Sequence, residues 1–422
     1  MRRRTRRCEM RRLIDRCAGI DVGQALLVVC VRVVTEQGEL DEEIRSFGAT
    51  TPDLEALRDW LTAVGVTHVA MESTGVYWKA PYYMLEDDFE VMLVNAAHLK
   101  HVPGRKTDVI DAQWIAEILS YGLLRPSFVP PRPFRELRDL TRYRKALTRA
   151  RTGEVNRLHK VLEDAGVKLA TVATDVMGVS GREMMRALIG GVADPQVLAE
   201  LARARLRAKL PELRRALTAR FREHHAFLLA RMLAHIEALE HDIEVVSERI
   251  AELIEPWQGQ VMILDSITGV GSRAAEVILA EIGPDMSRFP TAGHLASWAG
   301  RCPGQRESAG RRGSAKPRKG SPWLADVLTE CAWAAVKTKD TYLSAYYRQV
   351  MRRQGKQKAI VAVTHKILVI AWHLLSSGAL YDDPGAAAVR KTTEEQQRRR
   401  AIRQLEALGL EVTVRLREGD AA

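Results

Sequence analysis

The segment CAGID, residues 17–21, is typical of a short buried strand that ends on a carboxylate, Asp21. A second segment, HVAME at residues 68–72, ends in the same way on Glu72. Further strands are predicted at 24–34, 43–50 and 90–94, and helices from Pro52, near 78–87 and from 108 to about 121. The order β-β-β-α-β-α-β-α predicts a mixed sheet covered by helices over residues 14–130.

Four carboxylates are expected to meet at one edge of this sheet. Asp21 and Glu72 end strands near its centre, and open α/β sheets place their sites at the carboxyl ends of strands. The segment PGRKTDVID, residues 103–111, turns from a loop into a helix that carries Asp108 and Asp111 on one face. Paired carboxylates favour a divalent cation, and Mg²⁺ prefers oxygen ligands. Taken alone, each of these acids is more often a turn or cap residue than a metal ligand.

The positive charge of the chain is concentrated in two segments. The 422 residues carry a net charge of +11, and residues 1–12 and 301–319 each hold seven cations against one acid. Such clusters on a nearly neutral body indicate a polyanionic partner, although a solvated loop and tail would look alike. The candidate cations of the second cluster are Arg306, Arg311, Arg312, Lys316, Arg318 and Lys319.

A proline-rich stretch at residues 126–133 is typical of a linker, and residues 134–254 are predicted to be almost wholly helical. Within them, Ser180 and Glu183 form a predicted capping box, and Asp194 caps a helix that begins with Pro195. A heptad seam predicts either an internal bundle or a coiled coil between subunits. The seam consists of Leu239, Ile243, Val246, Ile250 and Leu253.

Residues 256–380 are predicted to form a mostly helical domain with two candidate sites. Gly269 and Gly271 lie in a predicted helix-hairpin-helix, whose free amides would bind phosphate without reading bases, although a plain helical turn fits too. Ser308 lies in the glycine-rich basic loop, whose guanidinium groups would stabilise charge on a phosphate.

Several classes of protein are excluded by composition. The five cysteines form no C-x-x-C pair, so a zinc module or a disulfide framework is not expected. The longest apolar run, residues 25–34, is too short to span a bilayer, and the arginine-rich start lacks the apolar region of a secretory signal. The expectation is a soluble protein of the cytoplasm, without a membrane partner.

Three motifs resemble the DEDD transposases of bacterial insertion sequences, the "insertion sequence 110" family. They are GIDVG at residues 19–23, MESTGVYW at 71–78 and PGRKTDVIDAQWIAEIL at 103–119. The resemblance extends over most of residues 14–380 and implies a first domain of the RuvC-type RNase H fold. The acids of the family then fall on Asp21, Glu72, Asp108 and Asp111.

The resemblance also implies a mechanism and partners. The acids would hold Mg²⁺ or Mn²⁺, and Ser308, with Ser314 and Ser321 as lesser candidates, would be the nucleophile for strand exchange. A bridge RNA would select donor and target DNA, and a homodimer or homotetramer would assemble through the helical arm. Arg105, Lys106, Gly269 and Gly271 join the basic loop as nucleic-acid ligands.

The predicted domains follow from these segments. They are a basic arm at 1–13, a RuvC-like catalytic domain at 14–130, a helical coiled-coil arm at 131–255, a C-terminal domain at 256–380 and a charged tail at 381–422. Two other functions stay open. One is a metal-dependent junction nuclease that uses water, and the other is a nucleic-acid-binding protein with inactive acids.

Overall fold

The computed structural model describes residues 12–73, 75–95, 111–303, 307–308, 311–312, 320–390 and 394–413. The chain divides into two compact units, Met1–Val129 (unit 1) and Pro130–Ala422 (unit 2). Unit 1 contains a sheet and its helices, and unit 2 is mostly helical, so the predicted classes of α/β and all-α structure are confirmed.

Unit 1 is built on a five-stranded mixed sheet in the order β3-β2-β1-β4-β5. The pairs β1–β2 and β2–β3 are antiparallel, whereas β1–β4 and β4–β5 are parallel. The predicted order of elements is therefore confirmed. The strands are β1 (Arg16–Val22), β2 (Leu26–Val34), β3 (Leu40–Gly48), β4 (His68–Glu72) and β5 (Glu90–Val94), and the helices are α1 (Thr51–Val64), α2 (Lys79–Leu85) and α3 (Asp111–Ser120).

Side chains on the two faces of this sheet pack in separate layers, because successive residues of a strand point to opposite faces. Ile20 and Met71 pack with the buried leucines of α1 on one face. Cys17 and Ala70 pack with Ile115 of α3 on the other. The central strands β1 and β4 are thus covered on both sides.

Two local predictions in unit 1 differ from the structure. Strand β3 begins at Leu40, because its ladder with β2 runs from Leu26 opposite Gly48 to Val34 opposite Leu40. The proline-rich stretch is not loose at its start, since the Ser127 amide donates to the Leu93 carbonyl at 2.7 Å. A chain segment that pairs with an edge strand is held by that sheet rather than by its composition.

Unit 2 begins with two long antiparallel helices, α4 (Arg132–Asp164) and α8 (Glu223–Ile254). The side chain of Asp164 accepts from His225 at 3.1 Å, and the Arg151 guanidinium lies 2.6 Å from Glu240. A core between them includes the fully buried Leu158. The helices that complete this arm are α5 (Val179–Ile189), α6 (Pro195–Glu200) and α7 (Leu210–Leu217).

The capping predictions in the arm had opposite outcomes. Asp194 caps α6 by accepting from the Gln196 amide at 2.8 Å, which confirms that prediction. The predicted capping box of Ser180 is wrong, because α5 begins at Val179, directly after its N-cap Gly178, and Ser180 lies inside the helix. The Ser180 hydroxyl instead accepts from the amide of Arg203 at 2.9 Å. A tertiary partner has replaced the local one.

The heptad seam of α8 packs partly within the chain. Leu239 and Ile250 are buried, and α8 makes its main contacts with α4. Ile243, Val246 and Leu253 remain half-buried. The predicted contact between subunits through this seam stays a prediction.

The rest of unit 2 consists of helices and one short β-hairpin. Its elements are α9 (Gln258–Asp265), α10 (Ser272–Ile282), α11 (Ala292–Trp298), β6 (Glu307–Ser308), β7 (Arg311–Arg312), α12 (Pro322–Lys337), α13 (Tyr342–Gln354), α14 (Lys356–Ser377) and α15 (Glu394–Glu406). The predicted tail begins on this block, since the carboxylate of Asp383 accepts from the Tyr342 amide at 2.9 Å and from the Thr268 hydroxyl at 3.1 Å.

Within the described part of the chain, α14 is the one helix long and apolar enough to cross a membrane. Length and composition are weak arguments here, because a helix in the core of a globular unit passes the same test. One face of α14 is buried, including Val363, Ile367 and Ala371, and the helix contacts α11, α12 and α13. We therefore describe α14 as a core helix of unit 2.

The described cysteines are all free thiols. Burial raises the pKa of Cys17 to about 11 and that of Cys331 to about 12, so both stay protonated. They are core residues without nucleophilic character.

Candidate functional site

Asp21 and Glu72 end two neighbouring parallel strands of unit 1. The register of β1 and β4 pairs Ile20 with Met71, so the two acids occupy the next position along each strand. Neighbouring strands lie about 4.8 Å apart, which places these carboxylates side by side at the carboxyl end of the sheet. Both are half-buried.

The two acids point to the face that α3 covers. Alternation along β1 puts Asp21 on the same face as Cys17, and along β4 it puts Glu72 on the same face as Ala70. Ile20 lies on the opposite face with the α1 layer. The acids therefore share a face as well as an edge.

The third acid, Asp111, is the first residue of α3, and a glycine brings that helix close. A Cβ atom at Gly19 would lie 2.3 Å from the Ala112 carbonyl oxygen and 2.4 Å from the Ala116 amide nitrogen. Only glycine permits this approach, so the first turn of α3 crosses β1 two residues before Asp21. Gly19 thus holds the backbone of α3 against β1 near the end of the strand that carries Asp21, and Asp111 begins that helix.

The fourth acid, Asp108, and the neighbouring cations Arg105 and Lys106 lie outside the described residues. Carboxylate oxygens suit Mg²⁺ or Mn²⁺, so the donors on this edge fit a hard cation in their chemistry. Among the residues that the structure describes, no three His, Cys, Asp or Glu side chains form a ready metal-binding group. A metal site on this edge remains a prediction.

Ser308 lies in a short β-hairpin of unit 2, within the basic segment 301–319, which we call the serine loop. It is the second residue of β6 and pairs with Arg311 of β7, while Glu307 pairs with Arg312. The other candidates of this loop lie outside the described residues: Arg306, Ser314, Lys316, Arg318 and Lys319. The side chains of Ser308, Arg311 and Arg312 are outside them as well.

The two ends of this loop meet against α11. A Cβ atom at Gly320 would lie 2.3 Å from the Ala299 carbonyl oxygen, just beyond the end of α11. Ser321 caps α12 by accepting from the Leu324 amide, and its hydroxyl donates to Glu281 at 3.1 Å. This serine has a structural role at the base of the loop.

Glu281 is a buried ionic centre that sequence reasoning missed. Its carboxylate accepts from the Arg142 guanidinium at 2.8 and 3.0 Å, in a bidentate pair, and from Ser321. Arg138 donates to the Ala280 carbonyl at 3.0 Å. Because a buried carboxylate requires such partners, these contacts fix α4 of the arm to α10 and to the end of the serine loop.

His365 of α14 lies beside the other end of the loop. Its Nδ1 atom is 3.8 Å from the Cys302 sulfur, and burial lowers the pKa of its imidazole, which favours the neutral form. Burial also lowers the pKa of the Arg301 guanidinium, whose Nε finds no hydrogen-bond partner among the described residues. No local motif in the sequence marks these residues, because 62 positions or more separate the histidine from both.

The two glycines of the predicted helix-hairpin-helix have different roles. Gly269 has φ +87°, and a Cβ atom there would lie 2.5 Å from the Ala335 amide nitrogen. This glycine is therefore required for packing against α12. Gly271 is the N-cap of α10 and faces open space, and the phosphate contacts expected of the two glycines stay a prediction.

A cavity of about 440 Å³ lies beside Gly271 in unit 2. Its lining includes the first turn of α10, with Arg273, and the α4 cations Arg144 and Lys145. Arg144 is paired with Glu276 and Lys145 with Glu330, each at 2.6 Å. Their charge is thus largely neutralised within the protein.

Two family models match this chain. Residues 18–166 match the family model of the IS110-type DEDD transposases. Residues 261–348 match that of the transposase IS116/IS110/IS902 family. Together the two matches span more than half of the chain.

Several curated relatives of this chain carry transposase names. A probable family 20 transposase of Pseudomonas aeruginosa is 26% identical over 338 residues, which cover 77% of this chain and 88% of the relative. The transposase for insertion sequence element IS1111A of Coxiella burnetii is 27% identical over 298 residues, covering 68% and 72%. A putative transposase of Sinorhizobium fredii is 26% identical over 326 residues, covering 75% and 74%.

Proposed function

Because this chain belongs to the IS110 family of transposases, enzymes that cut and rejoin DNA, we propose that it exchanges DNA strands with two sets of residues. The first set is the carboxylate edge of unit 1, and the second is the serine loop of unit 2. The observation that carries the proposal is the side-by-side placement of Asp21 and Glu72 on the face that α3 covers, with Asp111 at the start of that helix.

We assign unit 1 to the RuvC type of the RNase H fold. Three antiparallel strands followed by two parallel ones, in the order β3-β2-β1-β4-β5, support this assignment. The position of Asp21 at the end of the central strand supports it too. In such a fold the acids lie where a phosphodiester would reach the sheet edge.

The carboxylate edge would hold Mg²⁺ or Mn²⁺ through Asp21, Glu72, Asp108 and Asp111. A divalent ion there would polarise a phosphodiester and stabilise the charge that develops on it. The half-buried position of Asp21 and Glu72 supports this role, because partial burial strengthens electrostatic interactions relative to open solvent.

Ser308 would be the nucleophile. Its Oγ forms a bond to phosphorus while the bond from phosphorus to a sugar oxygen breaks, and the serine proton ends on that departing oxygen. A hydroxyl of another strand then attacks the serine–phosphate ester, rejoins the DNA and returns a proton to the serine. The bond energy is kept throughout, so no external energy source is required.

The partners of this reaction would be donor and target DNA, selected by a bridge RNA. The cations Arg105, Lys106, Arg306, Arg311, Arg312, Lys316, Arg318 and Lys319 and the amide of Gly271 would contact phosphates. A dimer or tetramer would form through the half-buried part of the α8 seam. A cytoplasmic location without a membrane partner stays a prediction.

A covalent adduct tests the proposal. Protein, bridge RNA and DNA are incubated with Mg²⁺ and denatured, and an adduct on residues 307–311 is expected. Ser308→Ala should lose the adduct and strand exchange, whereas the control Ser314→Ala should keep both. If Ser308→Ala still cuts DNA without an adduct, the alternative of a junction nuclease with a water nucleophile holds instead.

A second variant tests the carboxylate edge. Glu72→Gln should lose cleavage and keep DNA binding, because an amide preserves shape and loses charge. Glu55→Gln, on the exposed side of α1, is the matched control and should remain active. Full cleavage by Glu72→Gln would remove this acid from the site.

A further inference from the structure

Residues 331–380 carry a third concentration of positive charge. They contain eight cations and a single acid, Asp340. None of the eight forms an ion pair with the carboxylates that the structure describes, although Arg348 donates to Ser344 at 2.8 Å. The cations are Lys337, Lys339, Arg348, Arg352, Arg353, Lys356, Lys358 and Lys366.

Aromatic side chains lie among these cations on α12 and α13. Trp333 is 43% exposed and contacts Tyr347 edge to face, with ring centres 6.2 Å apart. On the other side of α13, Tyr342 and Tyr346 lie parallel with centres 6.2 Å apart. Lys366 of α14 lies over the second ring at 5.5 Å.

Half of these groups lie on α13, and its three arginines face solvent. Leu343 and Ser344 are the buried residues of α13, whose remaining residues are half-buried or exposed. Arg348 and Arg352 are both exposed and four residues apart, so they lie on the same side of the helix. The exposed Trp333 and the unpaired arginines therefore lie on two helices that pack on each other, α12 and α13.

We propose that this cationic–aromatic face, formed by Trp333, Tyr347, Arg348, Arg352 and Arg353, binds a single-stranded segment of nucleic acid. Unpaired bases would stack on the exposed ring of Trp333 and on the half-buried ring of Tyr347, and phosphates would follow the arginines. The proposal deepens the proposed function, since strand exchange must release unpaired nucleotides. A strand with free base faces fits better than a duplex, because the bases of a duplex already stack on each other.

The face is held in place before any strand binds. Thr341 caps α13 through the Ser344 amide, and the carboxylate of Asp383 accepts from the Tyr342 amide at 2.9 Å. The contact between Trp333 and Tyr347 joins two helices that pack on each other. A rigid aromatic platform loses little conformational entropy on binding.

Fluorescence anisotropy with a labelled single strand of about 20 nucleotides, in EDTA, tests the proposal. Trp333→Ala and Tyr347→Ala should each weaken binding about tenfold, from the usual value of one stacked base. Trp333→Phe should restore most of the affinity. Phe227→Ala, which removes an aromatic ring 65% exposed on α8, is the control and should leave binding unchanged.

An abasic strand of equal length and a duplex of the same sequence identify the contact. Trp333→Ala should bind the abasic strand and the duplex as tightly as the unaltered protein does. An equal loss on all three probes, or no loss on the single strand, would overturn the proposal. Neither Mg²⁺ nor strand cleavage enters this assay, so failure of the proposed chemistry would leave the result intact.

Discussion

The helix α4 and the block from α12 to α14 are both rich in cations, but they use them differently. Most cations of α4 pair with carboxylates of other helices, as Arg142 does with Glu281 and Arg151 with Glu240. The cations of α13 and the start of α14 face solvent without such partners among the described residues. Charge in the first region holds the protein together, whereas charge in the second is available to a polyanion.

This difference shows that the number of cations in a segment does not identify a nucleic-acid surface. What matters is whether the fold supplies carboxylates beside them. Burial makes the contrast larger, since Glu281 is 1% exposed while Arg352 and Arg353 are exposed. Buried pairs are costly to break, and exposed cations cost little to replace.

The largest expected effect comes from breaking a buried pair of the arm. Arg142→Ala leaves Glu281 buried without its bidentate partner, and about 3 kcal/mol of local stability should be lost. Arg138, 3.7 Å from the same carboxylate, limits the loss. Hydrogen exchange of the α10 amides measures it.

Arg249→Ala is the control, because Arg249 and Glu252 form an ion pair with both side chains at least 60% exposed. Its effect should be below about 1 kcal/mol. Equal effects of the two variants would show that the buried pair is not special.

The second prediction concerns the stability of the turn between α9 and α10, which contains Gly269. Gly269→Ala should destabilise it by about 2 kcal/mol or more, because φ is +87° and the added methyl group would meet the backbone of α12. Thermal unfolding measures the loss. Gly271→Ser, at an open N-cap position, should change stability by no more than about 0.5 kcal/mol.

The third prediction tests whether the exposed arginines of α13 contribute to binding. Arg352→Gln with Arg353→Gln should leave stability unchanged and reduce the slope of log affinity against log salt by about 1.4 on a single strand. The paired cations Arg132 and Arg186 provide the control. Their replacement by Gln should leave the slope unchanged. An equal change in both variants would show that paired and unpaired cations do not differ in binding.

The smallest effect is a pH dependence at His365. Burial lowers the pKa of its imidazole in the folded state, so the unfolded state binds a proton first as pH falls. Its contribution to stability should therefore be complete well above the unfolded pKa and decline as pH falls through about 6.5. His365→Gln should flatten this part of a curve of unfolding free energy against pH, and an unchanged curve would contradict the assignment.

Features that depend on neighbouring residues were predicted from the sequence. The strands that end on Asp21 and Glu72 follow from short apolar runs, and Asp194 caps its helix as expected. The order of elements in unit 1 follows from the same local signals. Hydrophobic period and cap chemistry act within a few residues, so the sequence carries them directly.

Features that depend on distant residues were not predicted from the sequence. The Ser180 hydroxyl accepts from the distant Arg203 amide instead of forming the expected cap, and the close packing of Gly269 against α12 has no signal in the local sequence. Whether a cation is neutral or available depends on the helix beside it. The sequence alone thus determined the elements and the acids that end them, and only the tertiary structure decided which charges are paired, since burial and long-range contacts bring those partners together.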